Sequence, residues 1–152
     1  MKLIHKLTLS LLLIPAVLPL AAQADEPGHH GAYQHALADL HAARWLIDHR
    51  PGDNWEMGRN EQVALSEIDA ATREITQLGE YVGKDMYRGE RPDANLDHRG
   101  RLHDAADALA RARNDAAQRE DDPRVLELQR HALHRIEVAL HATEDAMRDA
   151  GY

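Results

Sequence analysis

Cysteine is absent from this sequence. That excludes disulfides, thiolate metal sites, haem attachment through Cys and a lipid anchor on a leader-proximal Cys. Phenylalanine is absent too, and two Trp and four Tyr are the other large aromatics. The core must therefore come from Ala, Leu and Ile; Ala lets helices approach closely but buries little area per side chain. There is no Gly-x-Ser-x-Gly elbow, no phosphate-binding glycine loop and no Cys-x-x-Cys-His, so the corresponding hydrolase, nucleotide and c-type haem chemistries have no residues to act through. No segment shows strand-like alternation. The apolar run of residues 7–20 is interrupted by Pro15 and Pro19 and falls short of the ~20 residues of a membrane span.

What is present begins with a leader. Lys2 and Lys6 precede the apolar run, and Ala22-Gln23-Ala24 fits the small-residue rule for cleavage. The expectation is a signal peptide over residues 1–24, cleaved after Ala24, and a periplasmic or secreted bacterial protein of 128 residues, Asp25 to Tyr152. Loss of the two lysines leaves 16 basic against 26 acidic residues, a net charge of −10 with histidines neutral. Such a surface disfavours nucleic acid and anionic lipid and favours cations. No nucleic-acid partner and no stable membrane association after cleavage are expected.

Four segments carry helical periodicity, predicting an all-α four-helix bundle over residues 32–150 behind a His-containing tail at 25–31. In the first, 32–48, Tyr33, Leu37, Leu40 and Ile47 share a face before the Pro51-Gly52-Asp53 stop. In the second, 61–78, Ala64, Ile68, Ala71, Ile75 and Leu78 align, with Asn60 the expected N-cap and Gly79 the expected stop. The third, 98–119, aligns Leu102, Ala105, Leu109, Ala112 and Ala116 behind Asp97. The fourth, 123–150, follows Asp122 as N-cap and Pro123 at N1, with a seam of Leu126, Leu133, Ile136, Leu140, Thr143 and Met147 before Gly151. The first two segments also match the last two: Leu40–Arg44 with Leu109–Arg113 at an offset of 69, and Glu67–Ala71 with Arg135–Ala139 at an offset of 68. Two duplicated hairpins joined by a link at 80–97 would form the bundle. Tyr81 and Tyr87 in that link are candidates for a hydrophobic lid over the bundle end.

Eleven histidines stand out. On a helical wheel of the fourth segment, His131 lies nearly opposite the seam, and His134 and His141 lie about 120° to 140° from it. They share an outer stripe with Glu127 and Asp145. Glu127 and His131 are at i,i+4, His131 and His134 at i,i+3, and His141 and Asp145 at i,i+4, all helix neighbours. Imidazole beside carboxylate suits Cu, Ni or Zn, and no organic cofactor is expected. His134 and His141 are about 10 Å apart along the axis, so two weak surface sites are expected rather than one enclosed site. His29 and His30 in the acidic tail form a further candidate. Two readings stay open: weak divalent-metal binding or buffering, and a cell-envelope interaction or scaffold module in which the histidines are incidental. His98 alone aligns with a seam.

The stretch Ala132-Leu133-His134-Arg135-Ile136-Glu137-Val138-Ala139-Leu140-His141 resembles the His-bearing helix of the small metal-binding proteins of the bacterial periplasm. The resemblance implies a Cys-free, exported, non-enzymatic helical bundle that takes divalent ions through histidines. Tyr33-Gln34-His35-Ala36-Leu37 and the run from Arg44 to Asp53 also resemble a group of uncharacterised exported bacterial proteins, which implies fold and compartment alone. Di-iron bundles place Glu-x-x-His on inward faces; Glu127 and His131 are one residue too far apart for that pattern and lie outward. Arg44 and Arg113 border their seams at offset-related positions, where pairing with Glu67, Glu74 or Glu137 is expected ahead of anion binding.

Overall fold

The computed structural model describes residues 31–50, 56–80 and 96–152. The expected leader, His29 and His30, the Pro51–Asp53 turn and the tyrosines of the link lie outside the described residues. Four helices follow in order: α1 (Gly31–Asp48), α2 (Arg59–Glu80), α3 (His98–Ala116) and α4 (Pro123–Asp149). No strand occurs among the described residues, and none of these helices is long and apolar enough to cross a membrane.

α1 packs on α2 and α3, and α4 packs on α2 and α3, so α1 faces α4 and α2 faces α3 across the diagonals. Contacts at the helix ends fix the directions. Asn60, at the start of α2, donates to Asp149 at the end of α4 over 2.8 Å. His98, at the start of α3, meets Glu61 in the first turn of α2. Neighbouring helices are thus antiparallel, while α2 and α3 run the same way.

The core is a single cluster, and twelve of its 23 buried apolar residues are alanine, which is why the helices need little side-chain bulk between them. The buried positions of one hairpin recur in the other. Leu40, Ala43 and Ile47 correspond to Leu109, Ala112 and Ala116 at an offset of 69; Ala64, Ile68, Ala71 and Ile75 correspond to Ala132, Ile136, Ala139 and Thr143 at an offset of 68, all fully buried or nearly so. The correspondence extends to a buried polar pair, Glu61 and Gln129, and to an ion pair inside each hairpin. Arg44 donates to Asp69 at 2.8 Å, and its counterpart Arg113 lies 3.9 Å from Glu137. Arg111–Asp39 and Arg135–Glu67, each at 2.9 Å, bridge α3 to α1 and α4 to α2. Every neighbouring interface carries at least one such bridge. Being partly exposed, each is worth roughly 0–1 kcal/mol and serves mainly to hold alignment.

Local chemistry explains the helix ends. Asp97 accepts from the Gly100 N–H at 2.7 Å and Asp122 from the Arg124 N–H at 2.9 Å, the expected N-caps. Gly151 takes a φ of +80° just beyond α4, a conformation suited to glycine. Other ends differ from expectation. α2 starts at Arg59, so Asn60 is already inside the helix. Its N-cap is Gly58, whose N–H donates to the Glu61 carboxylate at 2.6 Å, the carboxylate half of a capping box. Gly79 lies inside the last turn rather than ending the helix. α3 closes at Ala116, not Arg119, because the Gln129 side chain takes the Ala116 and Gln118 carbonyls.

The α4 seam is rotated from the expected one. Its fully buried line is Ala132, Ile136, Ala139 and Thr143, while Leu133, Leu140 and Met147 are half-buried flanks and Leu126 is 38% exposed. α4 touches two helices at once, so its inward line points between them, where the closest approach favours alanine. Leu126 lies a turn beyond the end of α3 and has little to cover it. Thr143 is satisfied within its own helix, donating to the Ala139 carbonyl at 2.8 Å.

Candidate functional site

The histidines sort into two environments. His131, His134 and His141 are exposed on α4, as is Glu127; Asp145 is partly covered. His35 of α1, His49 just beyond its end and His103 of α3 are exposed as well. On α4 the expected partners His141 and Asp145 each take a different neighbour. Asp145 pairs with Arg148, and His141 Nδ1 lies 3.4 Å from Glu144, at i+3, rather than against Asp145. Among the described residues, the one trio of imidazole and carboxylate donors lying within 4.8 Å of one another is His103, Asp104 and Asp107 on the outer face of α3. His103 Nδ1 is 3.8 Å from Asp104 and 3.6 Å from Asp107. Helical spacing of i,i+1 and i,i+4 suffices to produce that trio.

Arg44 and Arg113 border the core as expected and are engaged by carboxylates. Arg113 meets the expected Glu137, whereas Arg44 takes Asp69 and Asp48. Glu67 and Glu74 pair instead with Arg135. His41 is half-buried on α1; burial, followed by the nearby Arg44 charge, lowers its pKa, against a smaller opposing pull from Asp69. At the opposite end of α1, burial and the neighbouring Glu120 push the Tyr33 hydroxyl up to about 12, so it stays protonated beside that carboxylate.

A different arrangement occupies the end of the bundle where α2 and α3 begin and α4 finishes. Glu61 and His98 face each other there with Oε1 and Nε2 3.1 Å apart, their side chains 5% and 11% exposed. The second carboxylate oxygen of Glu61 is held by the Gly58 N–H. The ring of Tyr152 meets His98 edge-on at 6.0 Å, and the Arg99 guanidinium lies over that tyrosine ring. A cleft of about 140 Å³ opens onto the pair, with Glu56, Asn60 and Asp149 in its walls. Periodicity aligned His98 with a seam but did not single out Glu61. The available signal was a carboxylate three residues ahead of Ala64 and seven ahead of Ile68, on the line that α2 buries.

Chemically, the exposed histidines can offer neutral imidazole to a divalent ion, backed by carboxylates at helical spacing. The cleft offers one imidazole and one carboxylate already at donor–donor distance, in a cation-favouring surround. Comparison of the chain with protein-family models, with curated proteins and with solved structures finds no match.

Proposed function

We propose that this is an exported, non-enzymatic helical bundle that binds divalent transition-metal ions weakly through histidines on its solvent-facing helix surfaces. The observation that carries the reading is the distribution of those histidines. His35, His49, His103, His131, His134 and His141 are all exposed, and His103 and His141 lie beside carboxylates. Exposed neutral imidazole with an acidic neighbour and an acidic overall charge favours Cu, Ni or Zn over anions. Export is supported by the basic, apolar and small-residue succession of residues 1–24.

Calorimetric titration with Cu²⁺, Ni²⁺ and Zn²⁺ tests the reading. Dissociation constants below about 1 mM that weaken when His131, His134 and His141 are replaced by Ala support it. Weaker binding, or binding indifferent to those replacements, leaves the histidines as ordinary polar side chains and returns the protein to an envelope interaction role.

A further inference from the structure

Glu61 and His98 meet at the one place among the described residues where a nearly buried carboxylate touches a nearly buried imidazole. Taking a carboxylate out of water is costly unless it is well paired. The other hairpin shows that the fold does not require that cost. Its equivalent buried position is Gln129, a neutral amide that donates to the carbonyls of Ala116 and Gln118. One end of the bundle is thus closed by an amide, and the other carries a carboxylate, an imidazole and an open cleft.

From this contrast and the geometry, we propose that the cleft is a divalent transition-metal site between helices, with Glu61 Oε1 and His98 Nε2 as its two fixed ligands and Asp149 as the carboxylate that completes it. Ligand bonds of about 2.0–2.2 Å around a tetrahedral or octahedral ion put neighbouring donor atoms roughly 2.8–3.6 Å apart. The observed separation is 3.1 Å, so an ion replaces the proton between the two groups with little movement of either. Both donors sit in the first turns of different helices, which fixes them better than two surface side chains on one helix. The Gly58 N–H holds the other oxygen of Glu61 at 2.6 Å, the kind of outer hydrogen bond that orients a metal-binding carboxylate. Asp149 shares the cleft and is held by the Asn60 amide, which it must release to reach the ion; water fills the remaining positions. The C-terminal end of α4, whose Ala146, Asp149 and Ala150 line the cleft, partly offsets the N-terminal dipoles of α2 and α3 there.

This site is separate from the surface histidines, whose side chains are 67% and 76% exposed at His103 and His141. The test uses the full chain and Zn²⁺, followed by long-range ¹H–¹⁵N correlation of the imidazole nitrogens at neutral pH. His98 Nε2 is expected to shift with the first equivalent, ahead of His103, His131, His134 and His141. Glu61→Gln keeps an oxygen for the Gly58 N–H, and with His98→Gln it should weaken the first binding step about tenfold or more, with Asp149→Asn weakening it less. Replacing His131, His134 and His141 with Ala should leave that step unchanged. Shifts at the surface histidines with none at His98 overturn the cleft site while sparing surface binding. A His98 shift alone does the reverse, and no shift anywhere overturns both. Because the spectral result comes from the unmodified protein, a variant that fails to fold does not remove the test.

Discussion

Gln129 reaches from α4 to donate its side-chain amide to the Ala116 carbonyl at 2.8 Å, and to that of Gln118 at 2.6 Å. The amide does for the end of α3 what a C-cap normally does, satisfying carbonyls that the helix leaves open. Gln129→Leu preserves much of the volume and strands these acceptors at a buried position. A loss of about 1–3 kcal/mol is expected in urea unfolding, with α3 fraying first in amide exchange. A change under about 0.5 kcal/mol would mean that water replaces the amide freely.

The alanine-lined seams predict an asymmetric response to core substitution. Ala71 and Ala139 are fully buried at matching positions of the two hairpins. Ala139→Leu should overpack the closest helix approach and cost about 1–3 kcal/mol. Ile136→Ala, one turn away and also fully buried, should cost about 2–5 kcal/mol through lost burial and the cavity left behind. Denaturant midpoints of the two variants measure both effects. A stabilising Ala139→Leu would show that the seam holds unfilled space.

Much of this architecture was legible in the sequence because helical periodicity is a local property. The inward faces of α1, α2 and α3 followed from the spacing of residues such as Leu40, Ile68 and Leu109, and the Asp97 and Asp122 caps from residue type alone. The offset between hairpins was visible in short matches and extends, in the fold, to Arg44–Asp69 and Arg113–Glu137. On α4 two stripes compete, sharing the fully buried Ile136 and Thr143. Hydrophobicity favours the one containing Leu126 and Leu133, whereas the bundle buries the Ala132–Ile136–Ala139 line, whose small side chains fit between two neighbours. The Glu61–His98 contact joins residues 37 positions apart on different helices, so no spacing rule within either helix reveals it. Its placement depends on α2 and α3 starting at the same end.

His41 gives the fold an acid-sensitive position. Burial and Arg44 lower its folded-state pKa, while in the unfolded chain it titrates near ~6.5. Between those two values the unfolded state binds more protons, so stability rises with pH across that window and falls as pH drops below about 6.5. Urea midpoints at pH 7.5 and 5.5 should therefore differ more for the parent protein than for His41→Gln. Equal differences would move the origin of acid sensitivity to other groups.

The bundle should fold without metal, because its core contains no histidine and is closed by apolar residues from all four helices. Circular dichroism in excess chelator should show the same strong helical signal as in Zn²⁺. A disordered chelated protein that gains helix on metal addition would make the ion structural, as in domains whose folding and metal binding are one step.

The α4 stripe separates binding from stability. His131, His134 and His141 face solvent, away from Ile136, Ala139 and Thr143, so each Ala substitution should change unfolding free energy by no more than about 0.5 kcal/mol. Their effects on surface metal binding should differ. His131 and His134 are one turn apart and near Glu127, so their losses should not add fully; His141 is two turns from His134 and should act independently, because contacting groups couple and distant ones do not. Calorimetric titration of the single and double variants gives each quantity. Additive losses from His131→Ala and His134→Ala would show that the two act at separate ions. Binding that persists unchanged when all three are replaced would assign it to other donors, with the Asp104 and Asp107 pair beside His103 the first to substitute.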